Sequence, residues 1–175
     1  MNDILVERHR SQPLTEQTLR AVQAEAGGCM AIHRITWCGS LLSVDGLDLL
    51  CHFRGPDAES MRIATRQLGF APALAWPCQV RDEPGIEAAD LAGVTVVVSH
   101  RFDTPAAFGA QAVMEESDKA CFERHRVRLV RSYLSLDRRR MDCLCQAPDV
   151  VSVRLAHRQA GVSPGQVRAV RRYAP

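Results

Sequence analysis

Apolar residues alternate with a period of two in some stretches and recur at three and four in others. Read in order, these stretches spell strand, helix, strand, strand, helix, strand, and then the same series again. In the first pass Ile4 to His9 forms a strand. Pro13 precedes an amphipathic helix with Leu14, Leu19 and Val22 on its apolar stripe, and the Gly27-Gly28 pair falls near its end. Ile35 to Ser43 is the second strand, Asp45-Gly46 a hairpin turn, and Leu47 to Phe53 the third strand. Pro56-Asp57 opens a second helix, with Asp57 placed to cap it and Gly69 to end it, before a short fourth strand from Leu74 to Val80. The second pass runs from Val94 to Arg172.

The two passes align without a gap at an offset of 92 residues. Ser40 meets Ser132, Asp45 meets Asp137, Cys51 meets Cys143, and Pro56-Asp57 meets Pro148-Asp149. Arg62, Ala64, Arg66, Gln67 and Gly69 return as Arg154, Ala156, Arg158, Gln159 and Gly161. Cys29 and His33 return as Cys121 and His125, and Pro13 as Pro105. This is read as a gene duplication in which each copy is one structural unit. The expected organisation is repeat one over 1–80, a linker over 81–93 (RDEPGIEAADLAG) and repeat two over 94–175.

The βαββαβ order predicts an α+β fold of two tandem ferredoxin-like units. Helices on one face of each sheet leave the other bare, so the expectation is that the units pack sheet to sheet as a pseudo-dimeric α/β barrel, with a further homodimer left open.

Apolar residues make up 46% of the chain and charged residues 24%, the balance of an ordinary globular protein. No apolar run approaches the ~18–20 residues of a membrane span. The charged N-terminus, MNDILVERHR, is read as mature sequence, and the expected location is cytoplasmic. Seven cysteines with no CxxC pair point to free thiols. Charge is unevenly spread: residues 1–93 carry 8 basic and 12 acidic side chains, net −4, and residues 94–175 carry 14 and 8, net +6. The basic half invites a test for RNA binding, since RNA-recognition domains share this element order. RRMDCLCQ, its third strand, lacks the aromatic rings that stack bases, which argues against a nucleic-acid partner. No Gly-rich phosphate loop occurs, so no nucleotide cofactor is expected.

Leu5-Val6-Glu7-Arg8 and Cys29 in the first copy, and Cys121, Ser132-Tyr133, Asp137, Cys143, Ala147-Pro148 and Gly161 in the second, resemble a family of small bacterial domains that includes a nickel-binding protein. The resemblance spans nearly all of both copies and implies a ferredoxin-like fold with nickel or another divalent transition metal as the cofactor. One departure stands out. Related domains carry a histidine in the second helix where this chain has Ala64 and Ala156, and His157 lies one residue later, turned about 100° around the helix.

Strand alternation sorts the candidate site residues. Ile4, Val6 and Arg8 share one face of the first strand, and Leu5, Glu7 and His9 the other. In the third strand Leu49, Cys51 and Phe53 are assigned to the core and Leu50, His52 and Arg54 to the opposite face. With the two strands taken as adjacent and parallel, Glu7, His9 and His52 converge near their C-terminal ends, a donor set that suits a borderline divalent metal or acid–base work. The second copy has Ser99, Arg101 and Leu144 there, which makes the arrangement asymmetric. The competing account is structural ion pairing of Glu7 and His9 with Arg54 or Arg101. His33 and His125, each four residues after a cysteine, form a second candidate ligand set, weighed against simple burial of the thiols.

The leading functional expectation is a small soluble protein binding nickel or a similar divalent ion through His9, His52 and Glu7, with His33 and His125 second. One alternative is a metal-independent enzyme that binds a small organic substrate between the two sheets, with His9 or His52 as general base and Arg101 holding an anionic group. The other is a regulatory module that binds a partner protein.

Overall fold

The computed structural model of the chain describes residues 1–69, 74–106 and 116–174. The backbone divides into two compact units, Met1–Cys78 with Arg171–Pro175, and Gln79–Val170. The stretch expected as a linker lies in the second unit, where it contributes the end of a strand and a 3-10 turn at Ala88–Gly93.

Unit 1 is built from β1 (Asn2–His9), α1 (Glu16–Ile32), β2 (Thr36–Ser43), β3 (Asp48–Gly55), α2 (Ala58–Gln67) and β4 (Leu74–Asp82). β1 lies between β3 and β4, with β2 outside β3, and each pairing is antiparallel. The expected parallel pairing of β1 with β3 is therefore incorrect. A helical crossover returns β2 in the direction of β1, and the tight hairpin then reverses the chain, so β3 must oppose β1.

Unit 2 has β5 (Val96–Arg101), α3 (Glu116–Arg124), β6 (Arg128–Ser135), β7 (Arg140–Gln146), α4 (Val150–Gln159) and β8 (Gln166–Tyr173). β5 lies between β7 and β8, with β6 outside β7, again antiparallel throughout.

Local contacts that set these elements occur in both units at positions 92 residues apart. Asp57 caps α2 by accepting from Ser60 N at 2.7 Å, and Asp149 caps α4 by accepting from Ser152 N at 2.7 Å. In the hairpins, Asp45 accepts from Ser43 Oγ at 2.5 Å and Leu47 N at 3.0 Å, while Asp137 accepts from Ser135 Oγ at 2.5 Å and Arg139 N at 3.0 Å. The helix α1 runs through Gly27-Gly28 instead of stopping there. It ends in a Schellman turn, with Arg34 in the left-handed region at φ 55° and Ile35 N donating to Met30 O at 2.9 Å. α3 ends identically at Arg126, φ 55°, with Val127 N donating to Phe122 O at 2.9 Å.

The helices cover one face of each sheet, as alternation required. In unit 1 Ile4, Val6, Leu49, Cys51 and Phe53 pack with Leu19, Ala26 and Met30 of α1 and Met61 of α2. In unit 2 Val96, Val98, Cys143 and Cys145 pack with Phe122 of α3 and Val153 and Ala156 of α4. Among the described residues no helix is long and apolar enough to cross a membrane.

Candidate functional site

The antiparallel register separates the first-choice ligands. His9 stands opposite Asp48 and His52 opposite Leu5, so the two imidazoles lie four residues apart along the sheet, roughly 13 Å at the usual rise. Each has its own local partner. His9 Nδ1 meets Asp48 Oδ1 at 2.9 Å with its side chain 75% exposed. His52 Nε2 meets Asp3 Oδ1 at 2.7 Å and is buried. Glu7 accepts from the buried Trp76 indole at 2.7 Å. Asp3 also accepts from Arg54 Nε at 3.1 Å. Burial opposes its ionisation, but the His52 and Arg54 hydrogen bonds outweigh it and hold the carboxyl below its ordinary range. Asp3 and Asp48 were missed from the sequence, although an antiparallel register places both against the histidines. Among the described residues no three His, Cys, Asp or Glu side chains are grouped as a metal site.

Arg101 donates to the His100 carbonyl at 2.9 Å and lies 3.8 Å from the wholly buried Asp142 carboxylate. Its charge thus faces an internal anion.

The second ligand set differs between the units. In unit 1, His33 Nε2 is bonded to Gln67 Oε1 at 2.7 Å, and the Cys29 thiol donates to the same oxygen at 3.7 Å. His125 Nε2 in unit 2, by contrast, is buried with no hydrogen-bond partner. Cys121 lies one helical turn before it, half-buried and free of any disulfide.

On the helix-facing side of each sheet the units diverge further. Unit 1 contains a cavity of about 400 Å³ between α1 and the sheet, bordered by β1 and β3 and by residues of α2. The small-molecule alternative had looked instead to the space between the sheets. Trp37 donates to Ser40 Oγ at 3.0 Å, Ser40 donates on to Cys51 Sγ at 2.9 Å, and Thr65 donates back to Met61 O at 3.0 Å, so polar groups along the walls have partners inside the protein. Unit 2 carries His100, Phe122 and His157 where unit 1 has Arg8, Met30 and Thr65. These rings pack together: Phe122 meets His157 edge-on at 4.9 Å between centroids, and His100 lies 6.2 Å from His157. Burial, with the neighbouring His157 and the Arg101 charge, pushes the His100 imidazole down to about 4. Burial also lowers His157, against the opposing effect of its hydrogen bond to Val153 O at 2.8 Å.

The strand thiols are structural. Burial raises Cys51 to about 11 and Cys143 to about 12, and raises Cys145 as well, so none is a thiolate near neutral pH.

A family model described as "Nickel responsive protein SCO4226-like" matches residues 97–170, less than half of the chain and within unit 2. No curated protein matches the chain. Among solved structures, the crystal structure of a protein assigned as a chlorite dismutase, TA0507, aligns with 99% of this chain and 94% of its own at 10% identity and a TM-score of 0.49. A likeness of that degree carries nothing about activity.

Proposed function

We propose that this chain, a tandem pair of ferredoxin-like units, is a divalent-metal-binding protein for nickel or a chemically similar ion. Its ligands are Cys121 and His125 of unit 2. The observation that carries the assignment is the buried, partnerless Nε2 of His125. A buried ring nitrogen without a hydrogen bond is costly, and coordination would remove that cost. Residues four apart on a helix share a face, which brings the Cys121 thiol to the same side. Thiolate with imidazole is a donor pair that nickel, zinc and copper accept. Both residues lie inside the stretch matched by the nickel-responsive family model.

The corresponding nitrogen in unit 1 is occupied by Gln67, which favours unit 2 over unit 1. Glu7, His9 and His52 rank behind, because Trp76, Asp48 and Asp3 engage them. The bound ion would be held by an imidazole nitrogen and a sulfur that must first lose its proton, so affinity rises with pH.

Protein purified without a histidine tag, loaded with nickel and desalted should retain near-stoichiometric metal by mass spectrometry. A sulfur-to-nickel charge-transfer band should accompany it and disappear in Cys121→Ser. Full metal retention in His125→Ala, in protein with an unchanged circular dichroism spectrum, would remove the assignment.

A further inference from the structure

The cavity of unit 1 shares no residue with the proposed metal site. Its volume of about 400 Å³ is in the range of small-molecule sites. Val6, Leu49 and Phe53 of the sheet form one wall, and Leu19, Ala26 and Met30 of α1 the other. All six are buried. Polar groups set among them are bonded inside the protein. Gln23 Nε2 donates to Ser40 Oγ at 3.4 Å, the oxygen that also accepts from the Trp37 indole. Cys51 accepts from Ser40, and burial keeps its thiol protonated. A buried water needs several polar partners, whereas an apolar molecule gains contact with each of these walls.

Both ends of α1 are fastened. Leu14 N, just before the helix, donates to Gly46 O of the β2–β3 hairpin at 2.9 Å, and Ile35 N, just after it, donates to Met30 O at 2.9 Å. Leu14, Met30 and Ile35 themselves line the cavity, so backbone hydrogen bonds set its boundary before an occupant arrives. One position in α1 stands out. Gly27 lies inside the helix, where a glycine is weaker than a residue with a side chain. A close neighbour would account for it, but a Cβ there would meet no described residue within 4 Å beyond the helix's own backbone. Gly27 lines the cavity and is exposed, as are His9, Arg10 and Thr36. These residues mark where the cavity opens to solvent, and the glycine leaves that opening clear.

We propose that the unit 1 cavity binds a neutral, largely apolar small molecule, which enters beside Gly27 and lies between α1 and the sheet. A sugar or a nucleotide would leave its polar groups against Val6, Leu49 and Phe53 without hydrogen bonds.

Titration of the full chain with the neutral dye N-phenylnaphthylamine tests this. Dye fluorescence should rise to a one-to-one plateau, fall when decanol is added and stay unchanged with glucose. Gly27→Leu, which places a side chain in the opening, should weaken dye and decanol about tenfold or more, the equivalent of about two methylene groups displaced from contact. It should also raise the melting temperature slightly, through helix propensity. Gly28→Leu makes the same exchange at an exposed position outside the cavity, and should bind as the native chain does. Absence of saturable dye binding to the native chain overturns the proposal, as does displacement by glucose, or equal affinity in Gly27→Leu and Gly28→Leu. The His125→Ala chain should bind the dye normally, so this claim and the metal claim fail separately.

Discussion

Where unit 1 has Arg8, Met30 and Thr65 around an open volume, unit 2 has His100, Phe122 and His157 in ring-to-ring contact. The surrounding scaffold is alike: the same order of elements, the same strand pairings, and the same caps and hairpin anchors at positions 92 apart. At these three matched positions the side chains differ in size and in polarity between the units. The reverse difference holds at the far end of that helix, where His33 is satisfied by Gln67 and His125 Nε2 is left bare. A shared framework therefore presents two distinct features, a largely apolar cavity in one unit and a buried, unsatisfied imidazole nitrogen in the other.

The hairpins offer the sharpest contrast. Gly46→Val forces a branched side chain into φ 76° and against Leu14, and should cost about 3 kcal/mol in urea unfolding. Arg138 occupies the matching turn at φ 57° as a non-glycine, so Arg138→Gly should change stability by less than about 1 kcal/mol. Equal losses at the two sites would mean that Leu14 does not constrain the first hairpin.

Acid should distinguish the units next. The His100 ring is held near 4 in the folded chain against 6.5 for the free side chain, so the unfolded chain takes up a proton first. Stability is therefore complete above about pH 6.5 and falls as pH drops toward about 4, by about 2 kcal/mol once partial exposure is allowed for. Hydrogen exchange across that window should show unit 2 loosening before unit 1, and His100→Phe should flatten the dependence. Simultaneous loosening would contradict a neutral ring cluster.

Val6 and Val98 make a matched pair, both fully buried on the helix-facing side. Val6 borders the cavity and Val98 belongs to the core cluster of unit 2, so Val6→Ala should cost about 1 kcal/mol and Val98→Ala about 2 kcal/mol. Smallest of all, Asp57→Ala and Asp149→Ala remove identical caps and should lower the melting temperature slightly and equally.

The residues that alternation assigned to the helix-covered faces, such as Ile4, Val6, Leu49, Cys51 and Phe53, occupy them, because a strand has only two sides. Direction was lost. Alternation says nothing about whether a neighbouring strand runs parallel, and the wrong choice brought His9 and His52 together when each faces an aspartate instead. The sign was nonetheless present, since a crossover followed by a tight hairpin requires β3 to oppose β1. Gly27-Gly28 suggested a helix end, but the turn that ends α1 is formed by Arg34. The cavity was illegible for a different reason. Empty volume depends on how far a helix stands from its sheet, which periodicity does not encode. Only the differences at positions 92 apart, Met30 against Phe122 and Thr65 against His157, hinted at it.

Nickel binding by His33→Ala and His125→Ala, measured side by side by equilibrium dialysis, tests the division of labour between the units most directly. The account predicts that His33→Ala keeps its nickel and His125→Ala loses it. Nickel retained by His125→Ala, or lost equally from both, would contradict it.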